Sequence, residues 1–350
     1  MGSIMELTVS CVTAFIVSFI LTWRWISVLE EKLYTAKNVE EKEAVARAFF
    51  GKDMNKYEHP LVVRYGGIWA VIGTVFGYLI LEAYHTYIGG GAYRLAEVFA
   101  VVTLLLLGGF IGFLDDVMGW KIGISPKTRI LSTLAIAIPL SVVKAGVSTI
   151  YLPLLGRIDL GVYYSLVLVP IGVMGASNAF NMLAGYNGLE AGMAAITLSY
   201  YAIYALHLGR MLSFKLSVIA LAAIIGFLYW NKPPARTFPG NGFTYAIGAL
   251  LAAIVIIGNY EKFGVALFAL YFLELALFIR GLLNGVYKET FGIPQPDGSL
   301  ELPYDKIYSV THLAIYILKR VRGRATEKGV TILILAVQAV IGLIALAVMW

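Results

Sequence analysis

The sequence NAFNMLAGYNGLEAG, residues 178–192, places three asparagines at the end of an apolar run long enough to cross a membrane. Amide side chains are costly in lipid, so their presence there indicates a partner such as a metal ion, a phosphate or a base. Asn178 and Asn181 share one face of a helix, and the glycines that follow predict a turn that presents Asn187. The alternative is a simple helix end in which asparagine and glycine act as capping residues.

The composition around this segment is that of an integral membrane protein. The chain has 350 residues, of which 59% are hydrophobic and only 14% are charged, and its mean hydropathy is +0.80. A transmembrane helix needs about 20 apolar residues. Such runs are centred near residues 15, 75, 104, 137, 172, 199, 221, 250, 272 and 339. Because they are continuously apolar and do not alternate in polarity, they exclude a β-barrel and predict a single all-α domain, residues 1–350, of about ten transmembrane helices.

Basic residues are concentrated in alternate loops of this bundle. Twenty of the 27 lysines and arginines fall in the segments 29–65, 115–129, 184–190, 230–242 and 280–328. Cytoplasmic loops are enriched in lysine and arginine, so we expect these loops in the cytoplasm and both termini outside. The net charge of +6 therefore reflects membrane orientation, and we expect no nucleic acid partner.

Two further loops carry local structure. Residues 29–50 are charged and predict an amphipathic helix at the membrane surface. The polar turn GKDMNKYEHP, residues 51–60, either contacts a phosphate or nucleotide or is a solvated loop. On the opposite side, residues 146–161 alternate β-branched and apolar side chains and predict a short external β-hairpin.

An aspartate pair ends the third predicted helix. Asp115 and Asp116 follow about 20 apolar residues, and their like charges repel each other unless a cation lies between them. A divalent metal ion or nearby lysines would supply that charge, and Lys127 lies on the same loop. The alternative is a pair of interfacial charges that simply ends the helix.

The segment LYWNKPPARTFPGNGFTYAIGA, residues 228–249, predicts a rigid non-helical turn because of its prolines and glycines. Phe238 and Asn241 lie at its end, where an aromatic ring can stack on a base and an amide can hold a phosphate-bound cation. A tight interhelical turn is the alternative. The last long loop, 280–328, predicts a hairpin-like insertion, and its basic run at 319–324 indicates contact with anionic membrane lipid.

These motifs, in this order on one membrane face, resemble the polyprenyl-phosphate N-acetylhexosamine-1-phosphate transferase family along nearly the whole chain. GKDMNK (51–56), GFLDDV (112–117) and the segments quoted above look most like its dolichyl-phosphate GlcNAc-phosphotransferase branch. The resemblance implies transfer of N-acetylglucosamine-1-phosphate from UDP-GlcNAc to a polyprenyl (dolichyl) phosphate, with release of UMP. It also implies Mg²⁺ as cofactor, with Mn²⁺ as a substitute, and a role in the first step of lipid-linked oligosaccharide synthesis for N-glycosylation.

The same resemblance assigns roles to individual residues. It implies catalytic roles for Asp115, Asp116 and Lys127, and metal-binding roles for Asn181 and Asn241. It implies substrate-binding roles for Lys52, Met54, Asn178, Asn187, Phe238, Arg280 and Lys288, among which Asn187 reads uracil and Phe238 stacks on it.

Two positions depart from the family pattern. Asn241 stands where relatives carry a metal-binding aspartate, and an amide oxygen ligates Mg²⁺ without supplying charge. In the last loop, residues 284–291 replace a segment with sugar-contacting arginines, so Arg280 and Lys288 become the candidates for that contact. The muramyl-peptide branch usually has aspartates at the positions of Ala184 and Asn187, which disfavours that substrate.

Mechanistically, the acceptor phosphate is already mostly dianionic at neutral pH, so the chemical problem is to bring two anions together. We therefore expect direct in-line attack by the lipid phosphate, with an aspartate of the pair orienting Lys127. A covalent route through Asp115 or Asp116 is the competing hypothesis. The sequence also leaves open a different UDP-N-acetylhexosamine donor, a catalytically inactive lipid-binding relative and a polar-solute transporter. We expect an archaeal plasma membrane as the location, and the oligomeric state, a homodimer included, stays open.

Overall fold

The computed structural model of the chain describes residues 2–36, 39–91, 94–121, 126–152, 156–287 and 289–350. The first half contains the helices α1 (Gly2–Thr35), α2 (Val39–Phe49), α3 (Ile68–Tyr87), α4 (Leu95–Lys121), α5 (Pro126–Ser132), α6 (Ile138–Val142) and α7 (Val169–Met182). The second half contains α8 (Leu189–His207), α9 (Met211–Asn231), α10 (Asn241–Gly258), α11 (Glu261–Leu267), α12 (Ala269–Leu283), α13 (Val310–Arg322) and α14 (Glu327–Met349). A 3-10 turn, Thr133–Ala137, precedes α6, and a π-helical turn, Tyr164–Leu168, precedes α7.

Three small antiparallel hairpins complete the fold. The first pairs β1 (Phe50–Lys52) with β2 (Leu61–Val63). The second pairs β3 (Thr149–Leu152) with β4 (Gly156–Asp159) and confirms the hairpin predicted at 146–161. The third pairs β5 (Ile293–Pro294) with β6 (Leu300–Glu301) inside the last long loop, where a hairpin-like insertion was expected.

The helical membrane fold is confirmed, but the number of simple spans is smaller than ten. Eight helices within the described ranges are long and apolar enough to cross a membrane, or nine if α11 and α12, which meet at an angle of 55°, form one broken span. The apolar run near residue 137 is divided into α5, the 3-10 turn and α6. Pro139 explains part of this division, because it cannot donate a helical hydrogen bond and its ring clashes with the preceding turn.

Helix α10 lies at the centre of the bundle. Every residue from Gly242 to Gly258 is buried, and α10 packs against α4, α7, α8 and α9. The contact with α4 is very close at Gly112, where a Cβ atom would overlap the carbonyl group of Asn241. Small residues permit such close approach of helices in membranes. This contact brings the end of α4 against the first residue of α10.

The predicted amphipathic segment 29–50 is divided between the end of α1 and the separate helix α2. Helix α2 carries Glu40 and Glu41 in its first turn and Arg47 in its last turn, and it has no buried residue. Acidic residues at the start and basic residues at the end complement the helix dipole. The β1–β2 hairpin follows α2 directly and leads the chain to the site described below.

Candidate active site

Four side chains that the sequence singled out meet at the end of α7 and the start of α10, beside α4, which continues past the aspartate pair to Lys121 and does not end there as expected. Asp115 and Asp116 come from α4, Asn181 from α7, and Asn241 is the first residue of α10. The Asn241 Nδ2 donates to Asp115 Oδ2 at 2.9 Å, and its Oδ1 accepts from Asn181 Nδ2 at 2.7 Å. The Asn241 backbone N–H donates to Asp116 Oδ2 at 2.7 Å. We call these four residues the aspartate–asparagine cluster.

The two aspartates have different surroundings. Asp115 is 5% exposed, and its carboxylate accepts hydrogen bonds from Arg129 Nε and from the Tyr245 hydroxyl, both at 3.1 Å, besides the bond from Asn241. Its charge is therefore compensated within the protein. Asp116 instead lies at the amino terminus of α10, where its Oδ2 accepts from the Asn241 backbone N–H and no ion pair compensates its charge within the described residues.

A cavity of about 270 Å³ opens beside the cluster. Its walls come from four segments. They are the first loop (residues 50–67, between α2 and α3), the asparagine loop between α7 and α8, the turn before α10 and the last long loop. The lining residues are Gly51, Lys52, Asp53, Met54, Arg64, Ala184, Gly185, Tyr186, Asn187, Glu190, Asn231, Phe238, Pro239, Gly240, Asn241, Thr244 and Phe291. The cavity thus combines an aromatic ring, amide groups and cations in one space.

Phe238 is held in this wall by the first loop. Its backbone N–H donates to the Val63 carbonyl at 2.8 Å, and its own carbonyl accepts from Gly66 at 3.0 Å. Val63 and Thr237 form a parallel bridge, so the turn before α10 extends the pairing of β2. The backbone that carries the Phe238 ring is therefore fixed beside the cavity.

The asparagine loop is fixed from its buried side. Asn187 Nδ2 donates to Asp53 Oδ2, and the Asn187 backbone N–H donates to Glu327 Oε1, both at 3.0 Å. Asn55 Nδ2 donates to the Gly185 carbonyl at 2.9 Å. The first loop, the asparagine loop and the start of α14 therefore meet behind Asn187.

The remaining predicted residues divide into two groups. Lys52 and Met54 are exposed and line the cavity. Asn178 lies outside it, where its Nδ2 donates to Thr133 Oγ1 at 2.7 Å and to the Met174 carbonyl at 2.8 Å. The bond to Thr133 ties α7 to the 3-10 turn, whereas the bond to Met174 lies within α7, and together they give Asn178 a structural role in this arrangement.

Two predicted cations, Lys127 and Arg280, do not line the cavity. Lys127 is exposed on α5, and within the described ranges no hydrogen bond or ion pair joins it to Asp115 or Asp116. The ion pair to Asp115 comes from Arg129, two residues further along the chain. Arg280 is exposed and stacks over the ring of Tyr308. Lys288 lies outside the described residues.

Four charged or amide residues line the cavity but were not among the predicted site residues: Asp53, Arg64, Glu190 and Asn231. Asp53 lies between two residues that were selected, and Glu190 lies in the opening asparagine segment. One carboxylate oxygen of Glu190 accepts from the Gly185 N–H at 2.9 Å, while the other is buried and has no partner within the described part of the chain. A buried acidic residue beside three asparagines was the signal that could have identified it.

The cluster fits a hard divalent cation in the chemistry of its donors. Asn181 uses Nδ2 to donate to both Asn241 and Thr244, and within the described residues no group donates to its Oδ1. That amide oxygen and the carboxylate of Asp116 are oxygen ligands of the kind that Mg²⁺ prefers. No set of three or more histidine, cysteine, aspartate or glutamate side chains converges as a metal site among the residues that the structure describes. Charge would therefore come chiefly from Asp116 and from the bound phosphates.

The sequence of the chain, including the residues of this site, is similar to those of known proteins. Residues 98–259 match the model of glycosyl transferase family 4, and this range contains the whole aspartate–asparagine cluster. A Saccharolobus solfataricus protein provisionally named UDP-N-acetylglucosamine–dolichyl-phosphate N-acetylglucosaminephosphotransferase is 35% identical over 310 residues, which cover 87% of this chain and 89% of that protein.

Two further relatives extend the comparison. A protein of Sulfolobus acidocaldarius with the same provisional name is 30% identical over 347 residues, 98% of this chain and 96% of the relative. The phospho-N-acetylmuramoyl-pentapeptide-transferase of Leuconostoc citreum is 30% identical over 190 residues, 50% of this chain and 58% of the relative. Similarity over nearly the full length is therefore found with the two archaeal proteins, and the bacterial enzyme matches about half of the chain.

Proposed function

The chain belongs to glycosyl transferase family 4, the polyprenyl-phosphate N-acetylhexosamine-1-phosphate transferases, and from this premise we propose its reaction. It transfers N-acetylglucosamine-1-phosphate from UDP-GlcNAc to dolichyl phosphate and releases UMP. The names of the two archaeal relatives support this donor and this acceptor. The observation that carries the proposal is the meeting of Asp115, Asp116, Asn181 and Asn241 beside a cavity lined by Asn187 and Phe238.

The cavity accounts for the nucleotide part of the donor. Phe238 offers a ring on which uracil can stack, and Asn187 offers an amide that can pair with its edge. Lys52 and Arg64 line the same cavity and supply positive charge for the diphosphate. Lys127 is exposed on α5 and is the proposed further contact for a phosphate, and Arg280 and Lys288 are proposed to contact the sugar.

The proposed step is an in-line displacement at the sugar-linked phosphorus. An oxygen of the lipid phosphate forms a new bond to that phosphorus, the bond from the phosphorus to the bridging oxygen breaks, and UMP leaves with that oxygen and its charge. A Mg²⁺ ion held by Asp116, by Asn181 Oδ1 and by the second lone pair of Asn241 Oδ1 would neutralise charge on the diphosphate. The amino terminus of α10 places backbone N–H groups beside Asp116, where they help to fix its carboxylate.

The biological setting follows from the same similarity. Transfer to dolichyl phosphate is the first step of lipid-linked oligosaccharide synthesis for N-glycosylation. Resemblance to archaeal proteins over nearly the whole chain supports the plasma membrane of an archaeon as the location. The excess of basic residues in alternate loops supports a cytoplasmic active site with both termini outside.

The experiment that tests the function is transfer from radiolabelled UDP-GlcNAc to dolichyl phosphate by the purified protein. We expect a lipid-linked product with Mg²⁺, none with EDTA, and a loss of at least about 100-fold in the Asp116→Asn variant. Product from another UDP-N-acetylhexosamine but not from UDP-GlcNAc would identify a different donor substrate. Solute flux in vesicles without any transfer would contradict the proposed enzymatic function. A sugar-phosphate adduct on the protein in the absence of acceptor lipid would contradict direct displacement.

A further inference from the structure

Asn187 is held from behind by two carboxylates from distant parts of the chain. Asp53 accepts a hydrogen bond from the Asn187 side chain, and Glu327 accepts one from its backbone N–H, both at 3.0 Å. All three residues are nearly inaccessible, with exposed fractions of 4% for Asp53 and 2% for Asn187 and Glu327. Asn187 nevertheless lines the cavity. Its amide is therefore fixed on the protein side and open on the ligand side.

Asp53 is itself held in place. Its Oδ1 accepts from the Asn55 backbone N–H at 3.1 Å, which leaves Oδ2 for Asn187. Asn55 Nδ2 donates to the Gly185 carbonyl at 2.9 Å and to Glu327 Oε1 at 3.3 Å. Lys56 Nζ forms an ion pair with Glu327 Oε2 at 2.9 Å. The first loop is thus bonded to the asparagine loop and to α14, so Asp53 cannot turn away without breaking these bonds.

This arrangement determines which atom of the Asn187 amide faces the cavity. An ionised aspartate only accepts hydrogen bonds, whereas an amide donates through nitrogen and accepts through oxygen. A rotation of the amide by 180° would place Oδ1 against Asp53 Oδ2, two acceptors in contact. Within the described residues no group donates to Asn187 Oδ1. The side chain therefore presents an acceptor to a ligand in the cavity.

We propose that Asp53 is a positioning residue that makes Asn187 select a nucleobase with an N–H at ring position 3. Uracil carries a proton on that nitrogen, whereas cytosine carries a lone pair there. An acceptor on the protein pairs with the first base and repels the second, and a buried polar pair that cannot form is costly. This inference rests on the proposed function and assigns its base preference to a second residue of the cavity wall, which acts through Asn187.

The test compares the binding of UMP and CMP to the full-length protein in detergent by titration calorimetry. In Asp53→Asn the new amide oxygen stays with the Asn55 N–H, so the new Nδ2 faces Asn187. It favours the rotated Asn187 amide, whose own Nδ2 then faces the cavity as a donor. We expect the ratio of CMP to UMP dissociation constants to fall by on the order of tenfold. Glu58→Gln removes an exposed carboxylate from the same loop and is the matched control, with an unchanged ratio.

A second variant guards against a general loss of structure. The double variant Asp53→Asn/Asn187→Asp reverses the direction of the buried hydrogen bond and again turns an acceptor towards the cavity, so we expect the preference for UMP to return. A wild-type protein that binds UMP and CMP equally would overturn the proposed function and this inference with it. A wild-type preference for UMP that persists undiminished in Asp53→Asn, or that the double variant does not restore, would overturn this inference alone.

Discussion

Asn241 shows how an amide is accommodated where related transferases are expected to carry a carboxylate. Its Nδ2 donates to Asp115, its Oδ1 accepts from Asn181, and its backbone N–H donates to Asp116. All three interactions are satisfied without a cation. A carboxylate at this position would face that of Asp115 and would lose the hydrogen bond that Nδ2 provides.

We predict that Asn241→Asp makes stability depend on divalent cations. In EDTA the variant should lose about 1–3 kcal/mol of unfolding free energy, because a donor is lost and like charges face each other. Millimolar Mg²⁺ should recover most of this loss, and it should raise the Tm of the variant more than the Tm of the parent. Thermal unfolding in detergent measures both effects. Asn284→Asp, which also removes a donor, here to the Arg280 carbonyl, but lies at an exposed position outside the cluster, is the control for the dependence on Mg²⁺. Equal Tm values of variant and parent in EDTA would contradict the prediction.

At the scale of residues, the sequence predicted the members of the aspartate–asparagine cluster better than the residues around the proposed nucleotide. Asn181 was selected because an amide in lipid needs a partner, and the aspartate pair because adjacent like charges need a cation. Asn241 was selected because a rigid turn presents it, and the structure brings all four together. Their roles remain predictions. The pairing of Asp53 with Asn187 joins positions 134 residues apart, which no local pattern reveals. The pairing of Arg129 instead of Lys127 with Asp115 depends on the turn of α5.

At the scale of elements, the contact between α4 and α10 determines the geometry of the cluster. Gly112 allows the backbone of α4 to touch the backbone of Asn241. We predict that Gly112→Ala separates the two helices, moves Asp116 from the start of α10 and lowers the transfer rate by about 100-fold, since a displacement of about 1 Å can cost that much. Gly172→Ala on α7 is the control, because nothing lies within 4 Å of its added Cβ. The transfer assay measures the rates of both variants, and an unchanged rate in Gly112→Ala would contradict the prediction.

A second contact between elements lies among the membrane-spanning helices α1, α3 and α9. Glu6 Oε1 pairs with Lys215 Nζ at 2.5 Å, and Glu6 Oε2 pairs with His85 Nε2 at 2.8 Å. Glu6 is 2% exposed and Lys215 is 5% exposed. Breaking a buried ion pair leaves an uncompensated charge, which is far costlier than removing both partners.

We therefore predict strong coupling between Glu6 and Lys215. Glu6→Gln and Lys215→Met should each cost about 3–5 kcal/mol of unfolding free energy, while the double variant should cost less than the sum of the two. Chemical unfolding of the four proteins in detergent gives the coupling energy. Additive effects would show that the two side chains do not stabilise each other. The apolar sequence predicted these helices, but not this contact, because each charged residue lies alone within its own apolar run.

The elements themselves illustrate what an apolar run can and cannot predict. Runs of about 20 apolar residues identified the long spans, because burial of apolar side chains in lipid dominates their energy. The same criterion failed near residue 137, where the run is apolar enough but is divided into short helices. A criterion based on length and hydropathy takes no account of the backbone N–H donor that Pro139 lacks. Hairpin β3–β4 was predicted correctly because alternation of β-branched residues is a local signal.

At the scale of the whole molecule, the distribution of charge predicts how the bundle is oriented. The loops that line the cavity and the basic helix α13 belong to the segments that hold twenty of the 27 lysines and arginines. Counting the broken segment 126–142 and the bent pair α11–α12 as one crossing each gives ten crossings. In the positive-inside arrangement, this face then meets the cytoplasm, where UDP-sugars would have to enter the cavity, and both chain ends lie outside. The buried pair of Glu6 and Lys215 then lies near the outer surface, as expected for a contact at the start of α1.

We predict that labelling with a membrane-impermeant maleimide will show this orientation. On a Cys11→Ala background, Trp350→Cys should react in intact cells, since this terminal residue is 65% exposed. Asp305→Cys, an exposed position in the last long loop, should react only after the membrane is permeabilised. The reverse pattern would place the cavity outside the cell, away from a cytoplasmic pool of nucleotide sugar, and would contradict the positive-inside assignment. Reaction of both positions in intact cells would require the carboxyl terminus and the last loop to share one side, and α14 would then not cross the membrane.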